Sequence, residues 1–229
     1  MKGNYTYVWV SLVILVFGII FIPKIIDRVK DGKVVDGDRH KIGEQHKDIG
    51  KEELVAIGEV PQFSFTDQNN QKISNKDYKG KVYLVEFFFT TCPTICPVMN
   101  QNMVKIQEAF KDNSDFGIAS ISINPENDTP EVLKAYAEKH GATHPNWHFL
   151  TGDQDAIYRL ANNGFNMYAG VNPEVKGGFE HSGMFALVDQ DGNIRSRLDT
   201  FGNPLVYYDG LEQQGIDMLK EDIAILLGI

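Results

Sequence analysis

A chain of 229 residues with 42% hydrophobic and 23% charged residues has an ordinary globular composition, and its length suits one domain plus an additional segment. The formal net charge of -9 argues against a nucleic-acid partner, because that binding rests on Lys and Arg neutralising phosphates. The two cysteines, Cys92 and Cys96, are too few for a disulfide scaffold or a four-thiolate zinc site, so their role is local.

In chain order, the first element runs from Gly3 to Pro23, a stretch free of charge that includes the apolar run Tyr7 to Ile22. Roughly 20 such residues, at about 1.5 Å each, match the hydrocarbon thickness of a bilayer, and Tyr7 and Trp9 are ring types that favour its interfaces. No small-x-small pair precedes the charged stretch after Pro23, and no cysteine there offers a lipid attachment site. Residues 1–23 therefore read as an uncleaved transmembrane anchor. Lys24, Arg28, Lys30 and Lys33 follow this span and Lys2 precedes it, so charge alone would place the following domain in the cytoplasm. Residues 24–58, rich in Lys, Asp, Glu and Gly, read as a solvated tether, with the globular domain beginning near Glu59 and filling 59–229.

Pro61 to Ser74 alternates apolar and polar residues around Asn69-Asn70, which predicts a small hairpin. Val82 to Phe89 is nearly continuous in apolar residues, as in a strand buried on both faces of a sheet. A helix is expected over Pro97 to Phe110, with Met99, Met103, Ile106 and Phe110 on one stripe. A strand over Phe116 to Ile123, a helix over Pro130 to His140, a short strand over Trp147 to Leu150 and a helix over Asp153 to Asn162 follow. Met184 to Val188 and Ile194 to Leu198 flank a turn containing Asp191-Gly192, a strong hairpin signal, and a closing helix spans about Leu211 to Leu227. The order predicts a mixed-sheet α/β domain with the cysteines at the carboxyl end of its first buried strand, where open α/β sheets place active groups.

Both cysteines precede a proline, in Cys92-Pro-Thr-Ile-Cys96-Pro97. Pro97 suits the first helical position, which would leave Cys96 at the N-cap and Cys92 on the loop feeding it. Thiolates there are favoured by the helix dipole and by free backbone N–H groups, so both thiols are expected to ionise readily.

Three separated stretches, VEFFFTTCPTICPVM over Val85 to Met99, SINPENDTPEVL over Ser122 to Leu133 and EHSGMFALVDQDG over Glu180 to Gly192, together resemble the Sco/SenC family of copper chaperones. The resemblance covers about Pro61 to the C-terminus. It implies a thioredoxin-like fold, an N-terminal membrane anchor, and a role in building the binuclear copper site of cytochrome c oxidase. Its metal ligands map onto Cys92, Cys96 and His181. Two soft thiolates and one imidazole independently suit cuprous copper and are too few for a closed zinc site. The implied partners are the copper-binding subunit of the oxidase and a copper donor or thiol reductant. The implied location is a bacterial inner membrane with the domain in the periplasm.

Asp128 falls in the family's Asp-Thr-Pro turn, where partner docking, redox tuning or capping by Asp128 or Thr129 are open roles. Asn124 departs from the family's commoner Asp. Glu86, six residues before Cys92, is a proton acceptor for the thiols or an edge-facing Glu with a Lys partner. His40 and His46 lie in the tether, and His140, His144 and His148 read as structural or solvated. The competing activity is thiol-disulfide exchange, which the same cysteines would serve. Against it stand the three-residue spacer and His181-Ser182-Gly183 in the place where thioredoxins carry a cis-proline. A peroxidase is disfavoured because no Arg in the motif would polarise a peroxide.

Overall fold

The structure, a computed structural model, describes residues 6–30 and 54–229; His40, His46 and most of the predicted tether lie outside the described residues. The chain forms two units, divided between Lys47 and Asp48. In the first, helix α1 (Thr6–Lys30) carries exposed apolar side chains from Trp9 to Ile22 and continues past Pro23, where the predicted anchor ended. Among the described residues no helix is long and apolar enough to cross a membrane, the side chains of α1 being described for residues 9–23 alone.

The second unit is built on a mixed sheet. Its elements are β1 (Val55–Glu59), β2 (Ser64–Asp67), β3 (Lys72–Ser74), β4 (Val82–Phe88), α2 (Cys96–Ala109), β5 (Phe116–Ser122), α3 (Pro130–His140) and β6 (Trp147–Thr151). Then come α4 (Gln154–Arg159) with a π-turn to Gly164, β7 (Ala169–Val171), β8 (Phe179–His181), β9 (Met184–Val188), β10 (Asn193–Ser196), β11 (Tyr208–Asp209) and α5 (Gln213–Leu227). The sheet order is β1-β10-β9-β4-β5-β6-β2-β3, with β11 on β9, while β7 and β8 form a separate two-stranded ribbon. β4, β5 and β6 run parallel and β9 antiparallel to β4.

The continuous apolar runs of β4 and β5 are buried along their whole length, as strands covered on both faces must be. Leu84 and Phe88 pack with Met99, Met103 and Ile106 of α2, Tyr136 of α3 and Leu219 of α5. Tyr83, Val85 and Phe87 point the other way, to Ile157, Leu160 and Phe165. Burying side chains of this size contributes roughly 1.5–3 kcal/mol each. This is the thioredoxin-like arrangement expected, with the predicted hairpins at 61–74 and 184–198 and all four helices of the domain in place. β1 begins four residues ahead of Glu59, within the stretch read as tether, and pairs with β10.

Candidate metal centre

The site forms where β4 gives way to α2. Burial of β4 carries the chain through the core as far as Phe88, and Ile123 N–H bonds the Phe88 carbonyl to extend the β4–β5 pairing by one step. The chain then turns, with Cys92 N–H donating to the Phe89 carbonyl at 3.2 Å, and enters α2. Ile95 takes the N-cap position, with dihedrals already helical, and its carbonyl accepts from both Val98 and Met99 N–H. Cys96 is therefore the first helical residue and Pro97 the second, one step from the predicted N-cap placement. This draws Cys96 into the core, where it is 1% exposed, while Cys92 is only half-buried.

The third group arrives from the ribbon. His181 ends β8, opposite Ala169 of β7, and the next residue is tied down by Ser182 N–H donating to the Tyr168 carbonyl at 2.9 Å. The imidazole Nδ1 lies 2.9 Å from the Ser182 carbonyl, which only accepts, so the ring proton of the neutral imidazole sits on Nδ1. Nε2 is left with its lone pair facing Cys96 Sγ at 3.2 Å. The Phe89 ring meets the imidazole edge-on, centroids 5.8 Å apart, and fixes its plane. Cys92, Cys96 and His181 thus place one donor atom each within 4.8 Å of one another.

The thiols differ in character. Cys92 is pulled down to about 3, first by the hydrogen bond with Cys96 and then by the backbone N–H groups of Thr94 and Cys96, against its partial burial. Cys96 is pushed far up, by sharing that hydrogen bond with Cys92 and by burial. The expectation that both thiols ionise readily is corrected: only one negative charge is stable in so small a volume.

The accessory candidates occupy the ends of the same strands. Glu86 sits mid-strand in β4, 1% exposed, so it is neither edge-facing nor paired with Lys. It accepts from Ser120 Oγ at 2.6 Å, its Oε2 has no partner among the described residues, and burial raises it to about 7 against the opposing effects of Ser120 and His181. Asp128 is fully buried, which removes it from partner docking. Thr129 caps α3 by accepting from Val132 N–H, whereas Asp128 accepts from Thr90, Ser122 and Asn127. His144 and His148 are structural, bonding the Asn113 carbonyl and Asp67, and His140 lies against Tyr136. The Ser182 carbonyl and Thr90 were not legible in the sequence: a backbone acceptor carries no side-chain signal, and a threonine two residues before Cys92 carries none of its own.

The SCO1/SenC family model matches residues 53–214, which include both cysteines and His181. The chain belongs to the SCO1/SenC family. The SCO1 protein homolog of Bacillus subtilis (strain 168) is 35% identical over 167 residues, covering 72% of this chain and 81% of the relative. BsSco, a member of the Sco family of cytochrome c oxidase assembly proteins in which a disulfide switch was identified, is similar in structure at a TM-score of 0.63 and 33% identity, covering 75% of this chain and 95% of its own. ScoI of Bradyrhizobium japonicum, solved with copper bound, gives a TM-score of 0.55 and 28% identity over 72% of this chain and 99% of its own.

The donor set fits a soft monovalent ion. Two thiols, one already a thiolate, and an imidazole nitrogen with its lone pair exposed favour cuprous copper. The bond from Nδ1 to the Ser182 carbonyl is the outer contact that such a histidine ligand needs.

Proposed function

We propose that this protein is a membrane-anchored copper chaperone that holds one copper ion through Cys92, Cys96 and His181 and delivers it to the binuclear copper site of cytochrome c oxidase. The observation that carries the reading is the three donor atoms within 4.8 Å, with Nε2 of His181 turned toward the sulfurs. Copper bound to ScoI of B. japonicum and the assembly role given for BsSco support the metal and the recipient. The uncharged, apolar stretch from Gly3 to Pro23 supports an anchor. The domain then faces the periplasm, where copper-site assembly and thiol oxidation belong.

Oxidation gates the site. Joining Cys92 to Cys96 passes two electrons to an external disulfide oxidant, releases the remaining thiol proton, and leaves His181 as the sole donor of the three, too weak to retain the ion alone. The full-length protein in detergent, titrated with cuprous copper against a competing chelator, is expected to bind one equivalent when reduced and none tightly when oxidised. Equal binding in both states would place the metal elsewhere. A reporter fused after Ile229 and active only in the cytoplasm would overturn the topology and the oxidase assignment with it.

The half-exposed, acidic Cys92 beside a buried Cys96 also has the form of a nucleophile and its resolving partner, which favours thiol-disulfide exchange as a second activity. His181→Ala separates the two, because it removes a copper donor and leaves the dithiol intact.

A further inference from the structure

We infer that Asp128 is a positioning residue for the metal centre: through Thr90 it locks the loop that presents Cys92 and the ring that orients His181. The inference rests on the copper-binding reading above.

Asp128 touches neither sulfur nor imidazole in the described structure. Its carboxylate instead collects four donors while fully buried. Thr90 N–H reaches Oδ2 at 3.0 Å and the Thr90 hydroxyl reaches Oδ1. The Ser122 hydroxyl reaches Oδ2 and Asn127 Nδ2 reaches Oδ1 at 2.7 Å. Both hydroxyls donate to the carboxylate and accept in turn, Ser122 Oγ from Asn124 N–H at 3.1 Å and Thr90 Oγ1 from Asn127 Nδ2 at 3.2 Å. Four donors occupy the lone-pair sites of the two carboxylate oxygens, which makes this burial tolerable and the geometry stiff.

The tie acts at a sensitive place. Ser122 ends β5, opposite Phe88 at the end of β4, so the carboxylate clasps the carboxyl ends of the two central parallel strands. Thr90 is the second residue beyond β4. On one side of it, Phe89 receives the Cys92 N–H and lays its ring against His181. On the other side, Thr91 leads directly to Cys92. A shift of Thr90 therefore moves a sulfur donor and the wall of the imidazole together. Helix capping does not account for Asp128, because Thr129 performs it.

Thr90→Val tests this with little risk to folding, since it removes the hydroxyl and keeps the N–H and the shape, and Thr90→Ser restores the hydroxyl. In full-length protein, cuprous copper affinity is measured by chelator competition, and the reduction potential of the Cys92–Cys96 pair by equilibration with a glutathione buffer. Thr90→Val is expected to lose roughly 10–100-fold in copper affinity, as removal of an outer partner does, while Thr90→Ser retains the wild-type value. Asp128→Asn, which sets an amide N–H against donors, should lose at least as much. A folded Thr90→Val protein with wild-type affinity and potential would overturn the inference, as would equal losses in Val and Ser. If the wild-type protein bound no copper, the copper reading would fail, and the potential would still decide the positioning role, shifting in Thr90→Val and not in Thr90→Ser.

Discussion

Cys92 and Cys96 reach the metal centre from β4 and α2, elements rooted in the domain's main core, whereas His181 arrives on a three-residue strand whose ladder is three residues of β7. The cysteine arm inherits its rigidity from the sheet. The histidine arm depends on a few specific contacts: the Ser182 carbonyl, the Tyr168 carbonyl and the Phe89 ring. A centre assembled this way has a fixed half that stores and shares a proton and an adjustable half that completes it.

Removing one donor from each arm is the strongest way to break this contrast. Cys92→Ala and Cys96→Ala should each abolish tight copper binding and the disulfide together. His181→Ala should leave a weaker two-thiolate site, down by more than the roughly 10–100-fold typical of an outer contact, that still forms its disulfide. Chelator competition and thiol titration of the three variants check both outcomes, and unchanged affinity in His181→Ala would detach the histidine arm from the metal.

Glu86 sharpens the contrast from beneath the cysteine arm. Its carboxyl stands at about 7 in the folded protein against an ordinary 4.5, chiefly because it is buried. The native state therefore holds a proton that the unfolded chain has released. The stabilisation is complete below about pH 4.5 and is lost as pH rises toward and through 7, about 3 kcal/mol in all. Glu86→Gln keeps an acceptor for Ser120 and cannot ionise, so it should stabilise the protein at pH 8 and flatten that part of the profile. Denaturant unfolding from pH 5 to 8 measures this, and identical slopes in variant and wild type would assign the dependence to another group.

The smallest effect belongs to the loop that leads into β8. Gly177, at φ +103°, holds its missing Cβ 3.1 Å from the Phe89 ring and 3.2 Å from Pro93, while Gly178, at φ +79°, faces open space. Both Gly→Ala variants should cost about 1–2 kcal/mol from the backbone alone. Only Gly177→Ala should also weaken copper binding, by pushing the ring that orients His181. Equal affinities in the two variants would show that the Phe89 wall does not set the histidine arm.

The same contrast explains what was legible in the sequence. β4, β5, α2 and α3 announce themselves by long apolar runs, a helical stripe and proline starts, and the cysteine spacing marks the site without any fold. The ribbon does not, because strands of three residues around Asn172-Pro173 and Gly177-Gly178 carry no period. β1 was absorbed into the tether since its five residues alternate only weakly. Asp128 was visible as a residue and not as a clasp, because its partner Thr90 lies 38 positions away and only the parallel pairing of β4 with β5 brings them together. The unequal thiols followed from Ile95 taking the cap, a one-residue shift that dihedral preferences alone did not resolve.

That shift has a kinetic consequence. Cys92 is half-buried, while Cys96 and His181 are 1% and 8% exposed, so an incoming thiolate has one open route of approach. Ligand exchange with a recipient would begin at Cys92, with Cys96 and His181 keeping hold until a second bond has formed on the other side. The ion would never be free in solution during transfer, and a recipient offering only one thiolate would stall with copper shared between the two proteins, a mixed complex that trapping with a single-cysteine recipient variant would reveal.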